Sequence, residues 1–221
     1  MKAVHAMNVT PGQLVLLTAL GVPAPLPKRT RQDVESALAK TLLQSARRQP
    51  PMRDLLGTSE DGFEIKKDQW GKPSLVFDAG AVFSVSYSRG SGRLWGALAC
   101  GQFSVGIDVS DFTDFAGSCP PERAFSDREW SWAVSRANGD KGAAAALLWA
   151  AKEATVKALG CDLQSVNPLS LEVMPSDQST AGPWTRYTVA IRTPGARSSL
   201  DLAARSLEGA WCCVATDGQV H

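Results

Sequence analysis

The segment GAAAALLWAAKEATVKALG, from Gly142 to Gly160, restricts what this chain can fold into more than any other stretch. Its alanines and leucines favour a helix, and before the first charge the helix is apolar nearly all round. Such a helix must be enclosed by other elements. Three charges nevertheless crowd its second half: Lys152, Glu153 and Lys157. On a helical projection Leu148, Ala151, Ala154, Thr155 and Ala158 share one side, while Trp149, Glu153 and Lys157 stack along another. An exposed Glu153–Lys157 pair alone would contribute only about 0.2–0.5 kcal/mol. Ions in a nearly buried helix are expensive unless they are paired or face a ligand.

The rest of the chain supplies the enclosure. At 221 residues it has room for one large domain or two of about 110 residues each. With 23 Lys and Arg against 22 Asp and Glu the net charge is +1, which gives no global reason to expect nucleic acid as a partner. The N-terminal part is locally basic: PKRTRQ at Pro27 to Gln32 is followed by Lys40, Arg47, Arg48 and Arg53. That is either a solvated helix face or an anion site for a phosphorylated small molecule. Cys100, Cys119, Cys161, Cys212 and Cys213 show no CxxC or zinc-type spacing, so buried, inert thiols in a reducing, cytoplasmic setting are expected. The apolar run LVLLTALGV is too short to span a bilayer, and no signal peptide precedes it; no membrane association is expected.

QLVLLTAL reads as a buried strand and Asp33 to Arg48 as a helix, through Val34, Leu38, Leu42 and Leu43. GFEIKKDQWGKPSLVF reads as two short extended pieces around a Gly71–Pro73 loop, and AVFSVSYSRG, LWGALAC and FSVGIDVS as further strands. FSDREWSWAVSR opens with a capping box, Ser126 and Glu129, ahead of a second helix; Glu129 reads as a cap rather than a ligand. After the long helix come strands at SLEVM, RYTVAIR and GAWCCVAT. Each half thus offers helix then strands, and GALAC at Gly96 faintly echoes GAWCC at Gly209. The expected fold is α+β, two similar α/β lobes in one chain, with a boundary near Gly101 to Val105, residues 1–103 and 104–221 forming the lobes.

Asp108 ends the strand FSVGID, where a carboxylate can face a cleft. With Glu153 it makes a pair of hard oxygen ligands of the kind that holds Mg²⁺ together with substrate phosphates and water. GIDVS at Gly106 to Ser110 and WAAKEATVKALG at Trp149 to Gly160 together resemble the 4'-phosphopantetheinyl transferases of the Sfp type, whose pattern is G-[IV]-D-[IV]-E followed by W-x-x-K-E-[AS]-x-x-K-x-x-G. GKP at Gly71 to Pro73, FSVSYSRG at Phe83 to Gly90 and AFSDRE extend the resemblance in the family's order.

The resemblance implies a pseudo-dimeric fold with the active site in the cleft between the lobes. It implies transfer of the phosphopantetheine arm of coenzyme A to a serine of an acyl or peptidyl carrier protein, with release of adenosine 3',5'-bisphosphate. By the same token Asp108 and Glu153 hold Mg²⁺, Lys157 contacts phosphate, and Glu153 or a metal-bound water takes the serine proton. Lys152 faces either substrate or solvent and is grouped with the coenzyme A residues. Lys72, Ser86, Tyr87 and Ser88 bind the nucleotide part, with Lys40 matched more loosely to a 3'-phosphate residue. Two positions depart from the pattern: Tyr87 replaces a histidine, and Ser110 replaces the second acid of D-x-E, where water, Asp111 or Glu129 would have to serve instead. These departures keep open an alternative, a non-catalytic module that binds coenzyme A or a carrier protein. A monomer suffices, because both lobes lie in one chain.

Overall fold

The computed structural model describes residues 4–9, 13–22, 28–50, 52, 62–77, 80–117, 120–176, 182–193 and 196–217. Arg53 and Cys119 lie outside them. Among the described residues eleven strands form two antiparallel sheets. The first contains β1 (His5–Asn8), β2 (Leu14–Gly21), β3 (Phe63–Lys67), β4 (Pro73–Phe77), β5 (Val82–Gly90) and β6 (Arg93–Ala99), in the order β1-β2-β6-β5-β4-β3. The second contains β7 (Ser104–Asp111), β8 (Leu171–Pro175), β9 (Thr185–Thr193), β10 (Ala196–Leu207) and β11 (Ala210–Asp217), in the order β7-β11-β10-β9-β8.

Apart from β1 the two sheets share one topology. In each, the first strand is followed by a helical excursion, and the last strand returns to pair with the first. The excursion is α1 (Lys28–Ala46) in the first lobe and α2 (Asp127–Arg136) plus α3 (Lys141–Leu159) in the second. The hairpins match residue for residue: Gly90 faces Arg93 across Ser91-Gly92, and Leu207 faces Ala210 across Glu208-Gly209. Gly92 and Gly209 are both left-handed, at φ 65° and 72°, as such tight turns require. This register makes Gly92 the counterpart of Gly209, so the echo of GALAC with GAWCC is a chance match; Gly96 lies inside β6.

The layers follow from alternation along the strands. Leu16, Val85, Leu94 and Leu98 pack under α1 against Leu38, Leu42 and Ala46. The opposite face, with Val15, Leu17, Ala97 and Ala99, meets Val105, Ile107, Val109 and Val214 of the second sheet. Beyond that sheet α3 closes the core on Val189, Leu202 and Ala215. The long helix is buried nearly all round, as its composition predicts. It begins at N-cap Asp140, whose side chain accepts from Ala143 N–H, and ends at left-handed Gly160.

Three readings change. Helix α1 starts at Lys28 rather than Asp33 and ends at Ala46, because its first turn lacks the apolar periodicity that marks the remainder. Strands β1 and β10 were not expected. β1 is four residues long with one buried side chain, too short for a pattern. β10 carries Leu200 and Leu202 inward, but Asp201 and Arg205 mask it. Among the described residues no helix is long and apolar enough to cross a membrane.

Candidate functional site

A ladder of serines sets the geometry between the lobes. β7 is an edge strand, and its backbone N–H groups at Val105, Ile107 and Val109 would lack partners. The hydroxyls of Ser84, Ser86 and Ser88, alternating along β5, accept them at 3.0, 3.1 and 3.1 Å. The S-x-S-x-S pattern therefore joins one lobe to the edge of the other through side chains.

The other face of β7 presents Gly106, Asp108 and Ser110 to α3. A Cβ at Gly106 would stand 2.0 Å from the Ala154 carbonyl oxygen and 2.5 Å from the Ala158 nitrogen, so only glycine lets the helix lie this close. That approach brings Asp108 to Lys157. Asp108 Oδ1 accepts from Lys157 Nζ at 2.6 Å and from the Ser88 hydroxyl at 2.8 Å, and Oδ2 accepts from the Ser110 hydroxyl at 2.9 Å. Lys157 Nζ also donates to the Ile107 carbonyl at 3.3 Å and lies 3.9 Å from Glu153 Oε2. Burial pushes the Glu153 carboxyl above the usual range, Lys157 pulls it back, and Asp108 and Asp162 push it up further. The pair of carboxylates thus carries more negative charge than Lys157 offsets.

Next to this group lies a cleft of about 200 Å3, walled by α1, the β3–β4 turn, β5 and the end of α3. Its cations are Arg31, Lys67, Lys72 and Lys157; Glu35 and Asp162 are its acids. Lys72 stands in a turn that Asp68 holds, accepting from the N–H groups of Trp70 and Lys72 at 2.9 Å each, with Gly71 at φ 84°. Its ammonium reaches across the cleft to the Ala158 carbonyl at 2.5 Å, capping the last turn of α3. Burial pushes its pKa down, against the nearby Asp68 carboxylate.

Of the residues singled out from the sequence, the structure brings together Asp108, Ser110, Glu153 and Lys157, with Lys72, Ser86 and Tyr87 on the cleft wall. Tyr87 donates to the Glu35 carbonyl at 3.2 Å and is buried. Ser88 lies off that wall and holds Asp108 instead. Lys40 is exposed on a separate groove between α1 and β3, which it shares with Arg47. Lys152 faces neither substrate nor solvent. It is wholly buried and donates to the Ala124 carbonyl at 2.6 Å, Glu129 Oε1 at 2.5 Å and the Pro168 carbonyl at 2.8 Å. Helical rotation separates adjacent residues by a wide angle, so Lys152 points into the lobe while Glu153 points out.

Glu129 cannot stand in for the missing acid. It closes the capping box with Ser126 and accepts from Lys152 and from Val173 N–H, all inside the lobe. Both Asp111 oxygens accept from Ser91 N–H and hold the β5–β6 turn. Among the described residues no three His, Cys, Asp or Glu side chains converge on a metal position. Sequence reasoning missed Lys67, Glu35 and Trp70. Glu35 is buried and pairs with Arg31 Nε at 2.9 Å and Lys67 Nζ at 3.8 Å. Trp70, 67% exposed beside the cleft, was visible in the sequence as a tryptophan in a polar turn.

Two topologically matched lobes thus set a carboxylate pair and lysines beside a cationic cleft between them. Residues 104–212 match the model of the 4'-phosphopantetheinyl transferase superfamily. A 106-residue stretch is 27% identical to 4'-phosphopantetheinyl transferase gsp of Aneurinibacillus migulanus, covering 48% of this chain and 42% of that protein, so the match spans less than half of each.

Proposed function

We propose that this chain transfers the 4'-phosphopantetheine group of coenzyme A to a serine of an acyl or peptidyl carrier protein, releasing adenosine 3',5'-bisphosphate. The observation that carries this reading is the meeting of Asp108, Glu153 and Lys157 beside the cation-lined cleft, within the span that matches the superfamily model, and a relative over part of the chain is named 4'-phosphopantetheinyl transferase. Residues 1–103 would supply the nucleotide contacts and 104–221 the reacting groups.

The serine oxygen forms a bond to the β-phosphorus as the bond to the bridging pyrophosphate oxygen breaks. This demands charge stabilisation more than covalent help from the protein. Asp108 and Glu153 would hold Mg²⁺, with the Ser110 hydroxyl beside them directly or through water. Two carboxylates fit an ion that takes its other ligands from phosphates and water. When bound, that ion neutralises charge on the pyrophosphate. Lys157, now on Asp108, has the reach to turn its ammonium to a phosphate oxygen. Arg31, Lys67 and Lys72 draw the polyanion into the cleft, while Ser86 and Tyr87 line the nucleotide wall. Glu153, held above the usual carboxylate range, is a fitting acceptor for the serine proton. Two lobes in one chain make a monomer sufficient, and the free thiols among the described residues suit a reducing cytosol.

Ser110 favours a second reading, a module that binds coenzyme A without turnover, because a hydroxyl is a poorer Mg²⁺ ligand than a carboxylate. Intact mass spectrometry separates the two. An apo carrier protein incubated with this chain, coenzyme A and Mg²⁺ is expected to gain one phosphopantetheine group. The gain should vanish with Asp108→Ala and without metal. Coenzyme A binding with no gain on several carriers would favour the module.

A further inference from the structure

The repeat that builds the two lobes also builds a second crevice. Ser74 faces Ser84 across β4 and β5, and Thr188 faces Asp201 across β9 and β10; the matched hairpins make Ser84 and Asp201 counterparts. Stepping back along β4 and β9 from these pairs, Arg186 falls on Lys72 and Trp184 on Trp70. Ser88 of β5 falls likewise on Arg205 of β10. The counterparts behave alike: Lys72 reaches across to a backbone carbonyl of the other lobe, that of Ala158, and Arg186 reaches across to that of Asn8.

Around Arg186 lies a crevice of about 430 Å3 between β1 and the start of β9. Among the described residues its lining includes three basic side chains, His5, Arg186 and Arg205, together with Trp184, and no acid. Among the described residues neither arginine has a carboxylate within ion-pair distance. Arg186 Nη1 is buried with no hydrogen-bond acceptor among the described residues, a costly arrangement for a guanidinium. Burial pushes the Arg186 pKa down, and Asp201 acts only as a more distant counter-charge. An anion in the crevice would relieve both conditions, and the planar fork of a guanidinium matches phosphate oxygens in pairs.

We propose that this crevice is a second ligand site, separate from the Asp108 cleft, for a small phosphorylated molecule with a flat apolar part, the class to which nucleoside phosphates belong. The phosphate is held by Arg186 and Arg205, and the ring rests on the apolar wall that Trp184 forms. No chemistry is expected there. The position matching Asp108 is Thr18 on β2, so the carboxylate that starts the reacting group of the first cleft has no equal in this one.

ADP is the probe, and titration calorimetry on the full chain is the measurement. Two ADP molecules are expected to bind. Lys72→Ala/Lys157→Ala should leave one, and Arg205→Gln should weaken that remaining one at least about tenfold, as loss of a charge-assisted hydrogen bond does. Hydrogen exchange on the unmodified chain gives a reading free of any folding defect: ADP should protect peptides covering 4–8 and 183–186. Stoichiometry of one that Lys72→Ala/Lys157→Ala abolishes, with no protection at 183–186, would overturn the proposal. So would pyrophosphate binding the crevice as tightly as ADP, which removes the flat apolar part from the recognition. The outcome is independent of the transferase reading: single-site binding that Arg205→Gln weakens and the double lysine variant does not would sustain this crevice while leaving the first cleft without its nucleotide.

Discussion

At the residue scale, two lysines five residues apart on one helix have opposite fates, and this is testable. Lys152 is buried with Glu129, and burial pushes its pKa down while Glu129 opposes the shift. Removing one partner of a buried pair strands the other, at a cost of about 3–5 kcal/mol. Lys152→Met is therefore expected to lower the melting temperature sharply, whereas Lys157→Met, whose side chain is partly exposed and which leaves Asp108 its Ser88 and Ser110 donors, should lower it less and lose transfer. Equal melting of the two variants would contradict the placement of Lys152. The cysteines give a second test. Burial pushes Cys100 to about 12 and raises Cys212 and Cys213, whereas half-buried Cys161 lines the cleft, where burial and Asp162 raise it and Lys72 pulls it back. Thiolate is the reactive form, so a raised pKa makes a buried thiol inert near neutral pH. Alkylation followed by peptide mass analysis should modify Cys161 well before Cys100, Cys212 or Cys213, and coenzyme A should slow it. Labelling of Cys161 at a rate indifferent to coenzyme A would count against the cleft as its site.

At the element scale, the contact of β7 with α3 decides whether the site exists. Gly106→Ala places a methyl group inside the backbone of α3, where neither chain can yield cheaply. Overpacking of this kind costs typically 1–3 kcal/mol and sometimes more. Here a loss of at least about 3 kcal/mol in a denaturant titration is expected. The serine ladder is the second such device. Changing Ser84, Ser86 and Ser88 together to alanine leaves three β7 N–H groups without acceptors, at about 1–3 kcal/mol for each. Native-state hydrogen exchange should show β7 amides opening before the rest of their sheet. Ser88→Ala alone should also weaken the hold on Asp108.

At the scale of the whole molecule, the duplicated topology accounts for one reacting group rather than two. The second lobe offers Gly106, Asp108 and Ser110 at positions where β2 offers Leu16, Thr18 and Leu20. β1 then occupies the edge of β2 that corresponds to the edge of β7 met by the serine ladder. Asp108 and Glu153, with Lys157, were legible in the sequence because spacing along a strand and a helix is local information. So were the cap at Ser126, the all-round burial of α3 and the two-lobed plan. What only tertiary structure decided was which face of each element met which neighbour. It turned Ser88 and Lys152 away from the cleft, left Lys40 on another groove, and brought Arg31, Glu35, Lys67 and Trp70 to the cleft wall. A side chain's direction depends on where a distant strand or helix packs, and that packing is settled by the summed burial of residues far apart in the chain.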